Sequence, residues 1–347
     1  MLSDTIAGAV GRLAALALVA LLALGLLVST AACTESRLKS VRQRGFLVCG
    51  IWPVAGFAHG DGQGRYAGFD VDVCRAMSAA IFGSAEQIRY VEVASAAQFL
   101  RSNEIDVVAR RLTWSLQREG LGLLFGPVTF YDGQGFLISR RRQVSHIDRL
   151  PHPRICVIPG NINQVNLDAY IQTRHLAAQT VFLQSLSEVE DTLSSGRCDA
   201  FTADVSELGA VRSTMHSPDD FEILPEQVSK EPMGAVVRQG DDQFFSILRW
   251  TVFAMITAEE LGVTSANVTE KLRSDDLDVK RLLGVLPGNG RALGLDENWA
   301  YNIIKTVGNY AEVYERNVGM QSPLRLARGL NSLWTDGGLM YAPLVRQ

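Results

Sequence analysis

Apolar residues along most of the chain fall into short runs that alternate with longer, helically spaced stripes. The run Phe46-Leu47-Val48-Cys49-Gly50-Ile51, set between a glycine and a Pro/Gly-rich loop, predicts a strand buried on both faces. Beyond the loop, Gly68-Phe69-Asp70 opens a helix on which Phe69, Val73, Met77, Ala80 and Ile81 recur at helical spacing, with Gly83 as its stop. Residues 88–93 read as a second strand, 96–102 as a short helix and 105–109 as a third strand. Strands alternating with helices in this way imply an α/β fold with a parallel sheet.

The same order then returns: a strand at 155–158, a helix at about 163–170, a strand at 181–183, a helix from Ser187 capped by Glu190, and a strand at 198–202. Leu100-Arg101-Ser102-Asn103-Glu104-Ile105-Asp106 and Leu193-Ser194-Ser195-Gly196-Arg197-Cys198-Asp199 each run from a helix end through a turn into a strand. If the copies are equivalent, Arg110-Arg111 in the first half corresponds to Ala203-Asp204 in the second. Ligands of open α/β sheets bind beyond the carboxyl ends of the strands. Two such edges facing each other would offer guanidinium groups on one side and a carboxylate on the other, the charges needed to pair both ends of a zwitterion.

Charge and composition narrow the picture. An apolar run at 13–28 follows Arg12, short of the roughly 20 residues of a membrane span, and Ser29-Thr30-Ala31-Ala32 leads into Cys33. This predicts a signal peptide over 1–32 and a lipid on the Cys33 sulfur, with ordinary cleavage after Ala32 as the alternative. The rest of the 347-residue chain suits two domains. A net charge of −4, with Lys and Arg dispersed apart from Arg140-Arg141-Arg142, argues against a nucleic-acid partner. Besides Cys33 there are four cysteines, Cys49, Cys74, Cys156 and Cys198. Three pairings are open to them; nearness along the chain favours Cys49 with Cys74 and Cys156 with Cys198, one bridge in each half. Their spacings match no zinc pattern, and no metal is expected.

Several longer segments resemble the polar amino-acid receptors of ABC transporters, which have the type II periplasmic binding fold. They are similar above all to the general L-amino-acid and glutamate/glutamine/aspartate/asparagine receptors. The segments are Gly68-Phe69-Asp70-Val71-Asp72-Val73-Cys74-Arg75-Ala76, Thr129-Phe130-Tyr131-Asp132-Gly133-Gln134-Gly135-Phe136, Ser229-Lys230-Glu231-Pro232-Met233-Gly234, Val237-Arg238-Gln239-Gly240-Asp241-Asp242, 258–267, Trp299-Ala300-Tyr301-Asn302-Ile303 and Val307-Gly308-Asn309-Tyr310. The resemblance implies two Rossmann-like lobes joined by two crossover strands. Lobe one would comprise 37–133 and 231–347, lobe two 134–230, with 33–36 as a lipidated linker and the stretch after about 260 wrapping lobe one. It further implies a monomeric periplasmic receptor that closes on a small polar amino acid and hands it to an inner-membrane permease. Neither catalysis nor a cofactor is expected, and the membrane is met only through the lipid at Cys33.

By the same resemblance, Arg118 grips the ligand's α-carboxylate, a task suited to a planar guanidinium with two parallel donors. Thr113 reaches the same group, Asp204 pairs with the α-ammonium, and Phe57 covers the apolar stem, with Trp52 and Trp114 as weaker candidates. Arg110 matches the family, whereas Arg111 stands where a small polar residue is usual and would favour an acidic ligand side chain. The family's Gly-Thr-Thr carboxylate loop is replaced by Pro159-Gly160-Asn161-Ile162-Asn163, which lacks both hydroxyls. Asn161 retains the ability to cap the following helix, while Ile162 and Asn163 change the site. A weakly binding or sensory lipoprotein is the second reading, and a dehydratase-like enzyme is disfavoured because no Glu or His occupies a matched cleft position. A serine hydrolase lacks its glycine-flanked serine elbow.

Overall fold

The computed structural model describes residues 36–345; the expected signal peptide and Cys33 lie outside them. Twelve strands are present among the described residues: β1 Leu47–Ile51, the small hairpin β2 His59–Gly60 and β3 Tyr66–Ala67, β4 Ile88–Glu92, β5 Val107–Val108, β6 Leu123–Asp132, β7 Gln134–Ser139, β8 Arg154–Val157, β9 Gln179–Phe182, β10 Ala200–Asp204, β11 Phe221–Ile223 and β12 Glu231–Arg238. They form two five-stranded sheets, ordered β4-β1-β5-β12-β6 and β11-β7-β10-β8-β9. In the first, β4, β1 and β5 are parallel and β12 runs antiparallel to β5 and β6. In the second, β9, β8 and β10 are parallel, with β7 antiparallel to β10. We call each sheet with its helices a lobe.

Each lobe follows from its apolar pattern. All five residues of β1 are buried, as expected of a strand covered on both faces. The helix Phe69–Phe82 buries twelve residues, because it is sandwiched between that sheet and the C-terminal helices Trp299–Thr306 and Tyr310–Asn317. Its N-cap, Gly68, has φ 139°, and a Cβ there would lie 2.3 Å from the Phe57 carbonyl oxygen, so only glycine permits this entry.

Two chain crossings join the lobes. β6 passes into β7 through Gly133 alone, and the return runs beside it: Gln134 N donates to Ser229 Oγ at 3.0 Å and Val228 N to Gln134 O at 2.8 Å. A Cβ on Gly133 would meet the Ser229 carbonyl oxygen at 2.5 Å, so a small residue is required where the crossings touch.

The expected disulfides are present. Cys49 on β1 joins Cys74 on the adjoining helix, and Cys156 on β8 joins Cys198 before β10, with Cα separations of 6.2 and 5.9 Å. The proposed repeat also has a physical counterpart. Asp106 and Asp199 each turn a carboxylate back onto a strand start, accepting from Val48 N at 2.7 Å and Arg154 N at 2.8 Å.

Two expectations are corrected. The strand foreseen at 105–109 has paired residues only at Val107 and Val108, although Asp106 N and Ala109 N at its two ends still bond Val48 O and Gly50 O of β1. The helix expected from Ser187 with Glu190 as its cap begins earlier: Ser185 and Glu188 form the capping box, and Glu190 instead accepts from His216 N at 2.9 Å. Both pairs have the same three-residue spacing, and spacing alone does not choose between them. Besides touching lobe two, the C-terminal stretch packs on lobe one. Leu324 and Leu326 join its core, yet Arg212 of lobe two donates to Leu324 O at 2.6 Å and Leu326 packs against Gly209.

Candidate ligand-binding cleft

The loop after β5 is pinned before it presents any charge. Ala109 N bonds Gly50 O, Leu112 O accepts from Gly234 N at 3.1 Å, and Thr113 forms a bridge with Met233. Ser115, rather than Thr113, then caps the helix Leu116–Gly120, accepting from Arg118 N, while the Arg118 guanidinium donates to the Thr113 carbonyl oxygen.

Three guanidiniums result from this geometry. Arg110 lies 5.7 Å from the Trp52 ring centroid, and its buried Nε has no hydrogen-bond partner among the described residues. Burial, followed by the charge of Arg118 nearby, holds the Arg110 group below its ordinary range. Among the described residues neither Arg110 nor Arg118 has a carboxylate within ion-pair distance. Arg111 departs from both. Its φ of 51° lies in the left-handed region, uncommon for a residue with a Cβ, and its guanidinium crosses to Ser206 Oγ on lobe two. It also stands 5.2 Å over the ring of Phe57.

The opposite wall is acidic. β10 ends at Asp204, which occupies the N-cap position of the helix Val205–Ser213 but makes no side-chain cap bond. Its carboxylate is not needed for that role, because Val205 N donates to Gly133 O and Ser206 N to Asp132 Oδ1. Burial, reinforced by the charge of Asp132 and opposed by Arg111, pushes the Asp204 carboxyl up to about 7. Asp70 is likewise pushed up to about 7 by burial, against the charge and backbone amide of Arg111. Burial also raises Asp132 and Glu207, and Arg111 partly offsets both.

Between the lobes lies a cleft of about 720 Å³, walled by Trp52, Pro53, Arg110 and Arg111 on one side and by Leu186, Ser187, Glu207 and Val211 on the other. Such a volume suits a small organic ligand. Phe57 is only 1% exposed and packs edge-on against Phe130, so the one ring contact it offers toward the cleft is with Arg111. Trp114 stacks on Phe125 and lines a separate groove of about 400 Å³.

Asn161, Ile162 and Asn163 stand apart from this wall. Asn161 caps the helix Ile162–Arg174, accepting from Gln164 N at 3.1 Å, and Gln164 in turn accepts from Gly160 N. Ile162 is 60% exposed, whereas Asn163 is buried and its backbone oxygen accepts from Gln134 Nε2 at 2.8 Å. The loop amides at Gly160 and Gln164 are thus taken by the loop's own side chains.

Four residues of this arrangement escape a reading of site motifs: Asp70, Asp132, Ser206 and Glu207. The signal for Asp132 was an acid at the end of a mostly apolar crossover strand, and for Asp70 an acid in the first turn of a helix with twelve buried residues. Ser206 and Glu207 follow Asp204 directly and read as ordinary first-turn polar residues.

A hinged pair of α/β lobes with charged strand ends facing a common cleft is the architecture of a periplasmic solute receptor. The model of bacterial extracellular solute-binding proteins, family 3, matches residues 48–319, and the chain belongs to that family. It is 45% identical to the general L-amino acid-binding periplasmic protein AapJ of Rhizobium johnstonii over 92% of this chain and 96% of that one. It is 41% identical to the glutamate/glutamine/aspartate/asparagine-binding protein BztA of Rhodobacter capsulatus over 93% and 97% of the two chains. Among solved structures, a periplasmic binding protein of an ABC transporter from Brucella ovis, with glutathione bound, superposes with TM-score 0.77 at 42% identity, covering 90% of this chain and all of the other.

Proposed function

We propose that this chain is the periplasmic substrate-binding component of an amino-acid ABC transporter, closing two lobes on a ligand that carries a carboxylate and delivering it to a permease. The observation that carries the reading is the pair Arg110 and Arg118: two half-buried cations that repel each other and have no carboxylate within ion-pair distance among the described residues, with Asp204 on the opposing strand end. A carboxylate from outside relieves that repulsion, and a guanidinium can hold it through two parallel bonds. Since Gly160 N in the 159–163 loop is taken by Gln164 Oε1, and Gln164 N by Asn161 Oδ1, the reading assigns the α-carboxylate to these arginines, with Thr113 beside them. An altered ligand is the second reading, and that same loop favours it. The relatives' names suggest the first probes: L-glutamate, L-glutamine, a neutral L-amino acid and glutathione.

In this reading residues 37–133 and 231–347 work as one lobe and 134–230 as the other, moving as a monomer about Gly133 and its neighbouring strand. Residues 1–32 direct export, and Cys33 carries the lipid that keeps the receptor at the envelope; intact mass of membrane-extracted protein tests this, and an unmodified Cys33 contradicts it.

Calorimetry on the mature protein tests the function. Binding of at least one probe, lost at least a hundredfold in Arg118→Ala, is expected. Heat from none of them, or undiminished affinity in the variant, contradicts the reading.

A further inference from the structure

Among the described residues, Arg111 is the cleft cation whose guanidinium is bonded across the gap. Its guanidinium reaches Ser206 across the gap, and the carboxyls of Asp70 from lobe one, Asp132 from the crossover and Asp204 and Glu207 from lobe two all feel its charge. Ser206 is itself bonded to Asp132, so the contact ends on a buried acid rather than in solvent. The aromatic face beneath it belongs to Phe57. A cation above an aromatic ring and ringed by carboxylates has the surroundings that a ligand's ammonium would seek. The left-handed backbone at Arg111 directs the side chain there, in contrast to Arg110, whose guanidinium turns toward Trp52 and Arg118.

We propose that Arg111 is a specificity-determining residue: a tethered cation that fills the ammonium-binding acids of the cleft, so that a ligand's amine must displace it while a ligand's carboxylates need not. The inference rests on the amino-acid reading of the cleft and deepens it. Its consequence is that this receptor gains less from an α-amine than a receptor with a short polar residue at position 111 would. The ligand class it favours is the small dicarboxylate, with or without an amine. Affinity for a cation-bearing ligand is set by exchange of one cation for another around Asp204, and such exchange yields little net energy.

L-Glutamate and glutarate separate this effect from all others, because both carry two carboxylates and differ only in the amine. The measurement is the ratio of the glutarate Kd to the L-glutamate Kd in the wild type, in Arg111→Asn and in Arg111→Lys. The ratio is expected to rise at least tenfold in Arg111→Asn and to stay near the wild-type value in Arg111→Lys, which keeps the tethered charge. A variant that newly binds glutamate but not glutarate, where the wild type binds neither, supports the proposal equally. A ratio unchanged or lowered in Arg111→Asn overturns it. If neither protein binds either compound, the dicarboxylate preference is overturned, while the amino-acid reading stands or falls separately with L-glutamine, the neutral L-amino acid and glutathione. The bridging role of Arg111 is then decided by small-angle scattering of the ligand-free proteins: a larger radius of gyration for Arg111→Asn sustains it, and an unchanged one overturns it.

Discussion

The two lobes use one device in two environments. Asp106 in lobe one and Asp199 in lobe two both turn a carboxylate onto the amide of a neighbouring strand, and both sit beside arginines: Arg44 and Arg37 for the first, Arg154 and Arg142 for the second. Their titrations nevertheless move in opposite directions. Burial raises Asp106 and outweighs the Val48 amide and both arginines. Burial raises Asp199 as well, but the Arg154 backbone and side-chain bonds and the Arg142 charge outweigh it, leaving that carboxyl below its ordinary range. The Asp106 side chain is fully buried, while the Asp199 side chain keeps 10% exposure. The same hydrogen bonds can therefore brace both lobes, while the depth of packing decides how much each ion pair contributes.

Removing the acids sharpens that comparison most. Asp106→Ala should cost about 3–5 kcal/mol in chemical unfolding, because it strands buried donors and arginines, and Asp199→Ala about 1–3 kcal/mol, because water reaches its partners. Equal losses would show that packing depth is not the difference. Next come the disulfides, whose loops span 25 and 42 residues. On the chain-entropy model, removing Cys49–Cys74 or Cys156–Cys198 costs about 3–4 kcal/mol each, slightly more for the longer loop. A loss confined to one bridge would mean that the lobes do not share this support.

The acid at the cleft edge gives a smaller effect with a definite sign. Asp204 and Asp70 stand at about 7 in the folded chain, against about 3.9 for an ordinary aspartate. Between those values the folded state holds more protons than the unfolded one, so its stability falls as pH rises from about 4 to about 7. Ligand-free protein should therefore melt at a higher temperature at pH 5 than at pH 8, and Asp204→Asn should remove part of that difference. An unchanged slope in the variant would place Asp204 outside the buried charge cluster.

Much of the architecture was legible because it is written in local pattern. The doubled β-α-β order, the pairing of cysteines within halves and the matched Asp106 and Asp199 segments all follow from short-range periodicity, and the sheets reproduce them. What could not be read depends on long reach or on competition between equal signals. Arg111 bonds a residue 95 positions away from a left-handed backbone that no pattern announces. Leu324 and Leu326 lie in a stretch without helical or strand periodicity, so their contact with lobe two gave no warning. Ser185 and Ser187 offer identical capping spacings, and the Glu190 alternative was lost to His216. Phe57 was legible as an aromatic near the cleft but not as one whose ring is already covered by an arginine.

At the cleft the comparison between lobes becomes a contrast of charge. The first lobe follows its strand with Arg110 and Arg111 and adds Arg118; the second ends its strand in Asp204. A crystal structure of the protein with L-glutamate tests most directly whether these edges form one site. The account predicts the ligand's α-carboxylate between the Arg110 and Arg118 guanidiniums and its amine turned toward Asp204. A ligand seated in the Trp114 groove, or one whose carboxylates meet neither arginine, would contradict it.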